Sequence, residues 1–209
     1  MSAQVRGLYP LLSEGPLPLG DFAAAARALA PYVSVMQVRV KSLGDRARLA
    51  LVKEVADVLQ GWGGVLVVND RADLAHILAR ETTLQVGLHL GQTDLPPRAA
   101  RAIVGPDVII GLSTHDLTQL AAASDEPVDY VAFGPVFQTT TKAHPDPLVG
   151  LAGLHAAAAL TTRPLVAIGG LDPERARAAC DAGASAVAVA GALFADGLAG
   201  LAERARRFV

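Results

Sequence analysis

Three polar side chains alternate with valines in the segment Gln37-Val-Arg39-Val-Lys41. Successive side chains of a β-strand point to opposite faces, so the glutamine, the arginine and the lysine would share one face. Two cations and an amide donor suit a diphosphate, because arginine can bind two phosphate oxygens and lysine acts as a point charge. The alternative is a strand end with solvated charges, which leaves the shared face without a reason.

Two carboxylates, Asp70 and Asp94, each come shortly after an apolar run, and Asn69 precedes the first of them. Hard oxygen ligands of this kind could hold Mg²⁺, with water and substrate phosphates completing the coordination shell. The alternative is that both aspartates are helix N-caps, a position that aspartate favours. His89 lies inside the apolar run that precedes Asp94, and it is either a buried histidine of the barrel or a catalytic residue.

Hydroxyl groups and glycines follow the later apolar runs. Ser113 and its neighbours Thr114 and His115 would bind a substrate or cap the next helix. A long loop from 133 to 150 contains Thr139, Thr140, Thr141 and Lys142, which would make a poor core and a good anion cradle. Gly169-Gly170 and Ala190-Gly191 would let the backbone approach a phosphate closely.

The elements that position these residues alternate regularly along the chain. Eight short, β-branched apolar runs predict parallel strands buried on both faces, at 5–9, 33–38, 65–68, 86–90, 108–112, 130–133, 165–168 and 186–190. Longer segments rich in alanine and leucine predict helices at 21–30, 45–60, 72–79, 97–103, 116–123, 150–160, 173–182 and 192–207. Asp45, Asp172 and His115-Asp116 stand at N-cap positions.

Eight strands, each followed by a helix, predict an α/β fold in the form of a single (β/α)₈ TIM barrel spanning residues 1–209. A doubly wound open sheet is the alternative, and the absence of a GxGxxG motif after the first run weighs against it. In a (β/α)₈ barrel the active site lies on the loops after the strands, where the polar residues above occur.

Composition narrows the classes of partner. A formal net charge of -2 gives no positive field that would attract nucleic acid or a membrane surface, and no apolar run is long enough for a membrane-spanning helix. The single cysteine, Cys180, excludes an internal disulfide and favours a cytoplasmic location. The sequence is compatible with a homo-oligomer.

Six strings, in order and each at a strand end, resemble the thiamine phosphate synthase family over nearly the whole chain. They are Gln37-Val-Arg-Val-Lys41, Val68-Asn-Asp-Arg-Ala-Asp-Leu-Ala75, Gly87-Leu-His-Leu-Gly-Gln-Thr-Asp-Leu-Pro96, Gly111-Leu-Ser-Thr-His115, Asp129-Tyr-Val-Ala-Phe-Gly-Pro-Val-Phe137 with Thr139-Thr-Thr-Lys142, and Val166-Ala-Ile-Gly-Gly170. The resemblance implies Mg²⁺-assisted condensation of hydroxymethylpyrimidine diphosphate with thiazole phosphate, giving thiamine phosphate and pyrophosphate.

The resemblance also implies roles for individual residues. The pyrimidine diphosphate site would comprise Gln37, Arg39, Lys41, Asn69, Ser113 and Lys142. Within it Arg39, Lys41 and Lys142 would act in catalysis by neutralising the departing pyrophosphate. Asp70 and Asp94 would bind Mg²⁺, and the thiazole phosphate site would comprise Thr139, Thr140, Thr141, Gly170, Ala190 and Gly191.

The chain departs from the family pattern at some positions. Ala190-Gly191 replaces a usual pair ending in serine, so a hydroxyl contact to phosphate is lost. The segment Pro10-Leu-Leu-Ser13, interpreted as the loop after the first strand, lacks the usual Thr-Asp.

Two other functions stay open at this stage. A related thiazole tautomerase carries a histidine where this chain has Pro135, and the residues that adjoin Pro135 in sequence supply no ionisable group. A non-catalytic, phosphate-sensing barrel would not need the full set of cations and carboxylates.

Overall fold

The computed structural model describes residues 5–139 and 147–208. Its centre is a closed barrel of eight parallel strands in which each strand pairs with the next and the last pairs with the first. The strands are β1 (Gly7–Ser13), β2 (Val35–Arg39), β3 (Val65–Asn69), β4 (Gln85–Leu90), β5 (Ile109–Thr114), β6 (Tyr130–Phe133), β7 (Leu165–Ile168) and β8 (Ala186–Val189). The predicted (β/α)₈ barrel is therefore confirmed.

One α-helix follows each strand on the outside of the barrel. The helices are α1 (Phe22–Leu29), α2 (Asp45–Val58), α3 (Ala72–Glu81), α4 (Pro97–Val104), α5 (Leu117–Ala122), α6 (Gly150–Leu160), α7 (Pro173–Asp181) and α8 (Leu201–Arg206). Short 3-10 turns at Leu19–Asp21, Ala30–Tyr32 and Ala123–Asp125 flank α1 and follow α5. In the described part of the chain, no helix is long and apolar enough to cross a membrane.

Two apolar clusters hold the barrel together. Side chains that alternate along the strands point inward to a small cluster that includes Tyr9, Val67 and Tyr130. The other strand side chains, such as Met36 and Leu66, point outward and pack under the helices in a much larger cluster. Burial on both faces explains why the strands are near-continuous apolar runs rather than alternating ones.

The first strand is longer than the sequence analysis predicts. The expected strand ended at Tyr9 and was followed by a loop, whereas β1 continues through Pro10 to Ser13. Pro10 is aligned with Val189 of β8, and the pairing with β2 begins one residue later, at Leu11. The extension brings Ser13 level with Arg39 at the end of β2.

The last helix is shorter than predicted. The expected helix covered 192–207, whereas α8 begins at Leu201. Gly197 and Gly200 have φ values of +58° and +63°, in the left-handed region that a right-handed helix cannot contain. The alanine-rich composition of the segment suggested a helix, and the two glycines divide it into turns.

Candidate active site

A cavity of about 750 Å³ opens where the strands end, at the carboxyl face of the barrel. Its wall contains most of the candidate residues, namely Arg39, Lys41, Asn69, Asp70, Asp94, Ser113, Thr139, Gly170, Ala190 and Gly191. Thr140, Thr141 and Lys142 lie outside the described residues. The topology thus collects residues from seven loops or strand ends that are far apart in sequence.

The wall after β2 carries the two described cations of the predicted diphosphate site. Arg39 donates a hydrogen bond from Nη1 to the hydroxyl of Ser13 at 3.3 Å, across the β1–β2 pair. The Lys41 ammonium lies 3.3 Å from Oδ2 of Asp70, and the lysine side chain remains largely exposed. The Glu14 carboxylate accepts hydrogen bonds from the backbone N–H groups of Lys41 and Ser42, which fixes the start of this loop.

Gln37 lies deeper than its two partners in the motif. It is only 3% exposed and lines a separate small cavity inside the barrel, beneath the main one. Its amide Nε2 donates to the Tyr9 hydroxyl at 2.9 Å. Gln37 points into the barrel, as the alternation of side chains predicts, but it lies below the main cavity, whereas Arg39 and Lys41 line that cavity.

A chain of buried polar groups continues from Gln37 across the barrel. The Tyr9 hydroxyl contacts the Tyr130 hydroxyl at 2.9 Å, and Tyr130 contacts Nδ1 of His89 at 2.9 Å. Nε2 of His89 is 2.8 Å from the Ser113 hydroxyl. Because the Gln37 amide nitrogen can only donate, the Tyr9 hydroxyl accepts from it and donates to Tyr130, and Tyr130 donates to Nδ1 of His89. Nε2 of His89 then donates to Ser113. The Ser113 proton is then available to a group in the cavity.

Glycine at position 111 makes room for this network. A Cβ added at Gly111 would lie 2.0 Å from the Tyr130 ring. The buried ring therefore requires a residue without a side chain on the neighbouring strand β5.

His89 is held in its neutral form by its surroundings. Burial lowers its pKa to about 4, an effect to which the nearby Arg39 charge adds and which Asp94 opposes. A neutral imidazole has one donor and one acceptor nitrogen, which is what the contacts with Ser113 and Tyr130 require.

Acidification is expected to destabilise the barrel through His89. The unfolded chain binds a proton near pH 6.5 and the folded chain only near pH 4, so stability is present above the unfolded pKa and falls as pH drops between these values. The expected loss from His89 is about 2 kcal/mol between pH 7.5 and pH 5. Urea unfolding of the wild type and of His89→Gln at both pH values measures it, with a smaller pH dependence expected in the variant. An equal pH dependence in both proteins would contradict the assignment.

The two aspartates of the predicted metal site lie side by side. Asp70 adopts a left-handed φ of +63°, uncommon for a residue with a side chain, and its N–H donates to the His89 carbonyl at 2.8 Å. Oδ2 of Asp94 accepts from the Gly91 N–H at 2.7 Å. A strained conformation held by surrounding contacts is typical of functional sites.

Neither aspartate caps a helix. The residue before α3 is Arg71 and the residue before α4 is Pro96, so the capping alternative for Asp70 and Asp94 is wrong. The expected caps Asp116 and Asp172 do accept N–H hydrogen bonds at the starts of α5 and α7. Asp45 instead is the first residue of α2, after Gly44, without a capping hydrogen bond from its side chain.

The donor set at Asp70 and Asp94 fits a hard divalent cation. Partial burial, together with hydrogen bonding to and repulsion from Asp94, raises the pKa of the Asp70 carboxyl, and Lys41 only partly opposes this. A cation between two such carboxylates would relieve their repulsion. Within residues 5–139 and 147–208, no group of three or more histidine, cysteine or acidic side chains forms a metal site. Two carboxylates suit Mg²⁺, which is commonly held by one or two carboxylates plus substrate phosphates.

The loop after β6 packs directly on the glycine pair after β7. The N–H of Val136 donates to the Ile168 carbonyl at 2.9 Å, and the N–H of Phe137 donates to the Gly169 carbonyl at 3.0 Å. Gly170 has a φ of +62°, and a Cβ there would lie 2.2 Å from the Gln138 carbonyl oxygen. Glycine is therefore required at position 170 for packing of the loop, a reason distinct from the phosphate contact predicted from the sequence.

Several residues on the cavity wall were not among the predicted site residues. Among the polar ones are Ser13, His89, Gln92, His115, Gln119 and Arg175. Ser13 was assigned to a loop, and nothing in the helical pattern of 173–182 marks Arg175 as a cavity residue. His115 was considered a capping residue, but Nδ1 of its ring is 2.7 Å from the Gly134 carbonyl, to which it must donate. The His115 imidazole therefore lies close to Pro135. The residues next to Pro135 in the sequence are not ionisable, so they gave no indication of this contact.

The sequence of this chain matches those of known thiamine-phosphate synthases. The family model described as thiamine monophosphate synthase matches residues 8–193. A curated thiamine-phosphate synthase of Koribacter versatilis is 43% identical over 172 residues, covering 82% of this chain and 79% of that protein. Another, of Mycolicibacterium paratuberculosis, is 44% identical over 190 residues, covering 85% of this chain and 80% of that protein.

Solved structures agree with the sequence matches. The thiamine phosphate pyrophosphorylase of Pyrococcus furiosus superimposes with a TM-score of 0.82 at 26% identity, covering 99% of this chain and 95% of that one. A tryptophan synthase of the same organism, at 16% identity and a TM-score of 0.72, shares the fold alone.

A closed (β/α)₈ barrel with a cavity at the carboxyl ends of its strands has the architecture of the TIM-barrel enzymes, whose active sites lie at that face. The matches assign the particular family. The chain belongs to the thiamine monophosphate synthase family and is an enzyme of that family, a transferase.

Proposed function

We propose that this chain condenses hydroxymethylpyrimidine diphosphate with thiazole phosphate, releasing thiamine phosphate and pyrophosphate. The observation that carries the proposal is the wall formed by Arg39, Lys41, Asp70 and Asp94, which brings two cations and two adjoining carboxylates to the same cavity. A departing diphosphate needs both direct cationic partners and a metal ion, and this wall is suited to supply both.

The reaction requires no nucleophile from the protein. The bond between the pyrimidine methylene carbon and the diphosphate oxygen breaks, and its electron pair leaves with pyrophosphate. The resulting cation is stabilised by resonance with the pyrimidine ring. The lone pair of the thiazole nitrogen then forms the new carbon–nitrogen bond, so that the protein contributes charge neutralisation and positioning.

The residues after β2 to β5 would serve the pyrimidine diphosphate. Arg39 and Lys41 would bind the departing oxygens, with Lys142 from the loop after β6 as a third cation. The hydroxyl of Ser113, held by His89, can donate to the same substrate. Asn69, at the end of β3, also lines the cavity. Gln37 lies below the cavity and would act through the hydrogen-bonded chain that ends at Ser113.

Asp70 and Asp94 would hold Mg²⁺, which when bound supplies positive charge to the departing pyrophosphate. On the far wall, the thiazole phosphate would lie against the turns after β7 and β8 and the threonines of the β6 loop. Those residues are Thr139, Thr140, Thr141, Gly170, Ala190 and Gly191.

Incubation with the two substrates and Mg²⁺, followed by proton and phosphorus NMR, tests the proposal. We expect thiamine phosphate and pyrophosphate in equal amounts, and no product when either the pyrimidine diphosphate or the metal is omitted. Isomerisation of the thiazole carboxylate phosphate without coupling would favour the tautomerase instead, with His115 as the candidate acid or base beside Pro135. Binding without either reaction would favour a phosphate sensor.

A further inference from the structure

The cations on the cavity wall divide between two sides of the barrel. Among the described residues, the lysine and arginine side chains that line it are Arg39, Lys41 and Arg175. Arg39 is the last residue of β2, and Lys41 follows it with its ammonium 3.3 Å from Asp70. Arg175 belongs to the first turn of α7, which follows β7, and β7 is separated from β2 by β8 and β1.

Arg175 is held over the turn after β7 by three contacts. Its Nη1 donates to the Gly170 carbonyl at 2.9 Å, and its guanidinium carbon lies 5.0 Å from the centre of the Phe137 ring. Its Nε is 3.6 Å from Oδ2 of Asp172, whose other oxygen caps the helix by accepting the Arg175 N–H. About half of the Arg175 side chain is exposed.

These contacts fix the guanidinium and leave it able to bind a ligand. Arginine has five N–H donors in a planar fork, and the contacts found in the described part of the chain involve Nη1 and Nε. The fork matches the geometry of phosphate oxygens, and a side chain that is already ordered loses less entropy on binding.

The neighbouring turn after β8 offers little but backbone. Its cavity residues Ala190, Gly191 and Ala192 carry neither a charge nor a hydroxyl group. A dianion bound against this turn would meet only backbone N–H groups of the turn itself, and the threonine hydroxyls of the β6 loop carry no charge, so a cation would have to come from another part of the wall. Within residues 5–139 and 147–208, Arg175 is the arginine or lysine that lines this side of the cavity.

We propose that Arg175 binds the phosphate of the thiazole substrate and thereby selects the phosphorylated thiazole over its alcohol. The proposal rests on the proposed function, because it assigns a residue to one of the two substrates of that reaction. Asp172 opposes the field of Arg175, because its carboxylate lies 3.6 Å from Nε of Arg175 while it also caps α7.

Steady-state kinetics with two thiazole substrates tests the proposal. For Arg175→Ala we expect kcat/KM for thiazole phosphate to fall tenfold or more, whereas kcat/KM for the unphosphorylated thiazole alcohol and the KM for the pyrimidine diphosphate change less than twofold. Arg175→Lys should retain part of the preference for the phosphorylated substrate, because it keeps the charge and loses the fork. Asp172→Asn, which keeps a capping residue, should lower the KM for thiazole phosphate.

A role of Arg175 in holding the β6 loop would give a different result. Phe137→Leu removes the ring under the guanidinium, and if Arg175 only held the loop, both thiazole substrates would suffer equally in Phe137→Leu and in Arg175→Ala. Equal losses for both substrates, or no loss for either, would overturn the proposal. Calorimetric titration of wild type and Arg175→Ala with thiazole phosphate separates this outcome from failure of the proposed reaction, since it measures binding whether or not product forms.

Discussion

Arg39→Gln is expected to lower turnover at saturating substrate by a hundredfold or more, on the order of 3 kcal/mol of transition-state stabilisation. Negative charge grows on the pyrophosphate oxygens as the bond to the methylene carbon breaks. A guanidinium beside those oxygens therefore stabilises the transition state more than the ground state. Glutamine keeps an N–H donor on a shorter side chain and removes the charge.

Two comparisons make the Arg39 experiment specific. Arg39→Lys should retain intermediate turnover, because a lysine keeps the charge without the planar fork. Arg46→Gln is the matched control, since Arg46 lies on the exposed side of α2 and does not line the cavity. Wild-type turnover in a folded Arg39→Gln protein, as judged by its circular dichroism, would remove Arg39 from the mechanism.

Removal of the metal is expected to abolish product formation, and added Mg²⁺ to restore it. Asp70→Asn and Asp94→Asn should each raise the Mg²⁺ concentration needed for half-maximal activity, because each removes one charged ligand. If both residues act through one ion, the double variant should be little worse than the worse single variant. Activity measured against Mg²⁺ concentration for the three variants checks this.

The control for the metal experiment is Asp107→Asn, an exposed carboxylate outside the cavity, which should leave the Mg²⁺ requirement unchanged. Full activity of the wild type in excess chelator would show that the aspartates serve another purpose. Additive losses in the double variant would show that they act independently, and not through a shared ion.

The barrel could be predicted from the sequence because the pattern of an apolar strand followed by a helix is repeated eight times. Each strand is an apolar run buried on both faces, so an error in one boundary does not change the number of strands. The errors are local and have local causes. Pro10 suggested a turn, yet a residue without an N–H is accommodated in β1, and two glycines with left-handed φ values shorten the final helix.

The candidate site could be predicted where a residue lies at or shortly after the end of a strand. Asp70, Asp94 and Ser113 are of this kind, and the strand positions alone bring them to one face of the barrel. The depth of a side chain along the barrel axis was harder to predict. The alternation of side chains predicts that Gln37 points into the barrel, but it does not predict how far below the cavity Gln37 lies. Arg175 reaches the cavity from the first turn of α7, and His115 from a position just before α5. The spacing of apolar residues predicts a helix there but does not predict where a polar side chain points.

The hydrogen-bonded chain from Gln37 through Tyr9, Tyr130 and His89 to Ser113 has a consequence for how this barrel can diverge. Each member both satisfies and depends on a neighbour contributed by a different strand. Replacing one alone leaves a buried donor or acceptor without its partner, so the cost of a second change depends on whether the first has occurred. The five positions therefore form an epistatic unit, in which viable evolutionary paths run through concerted replacement rather than through independent single steps.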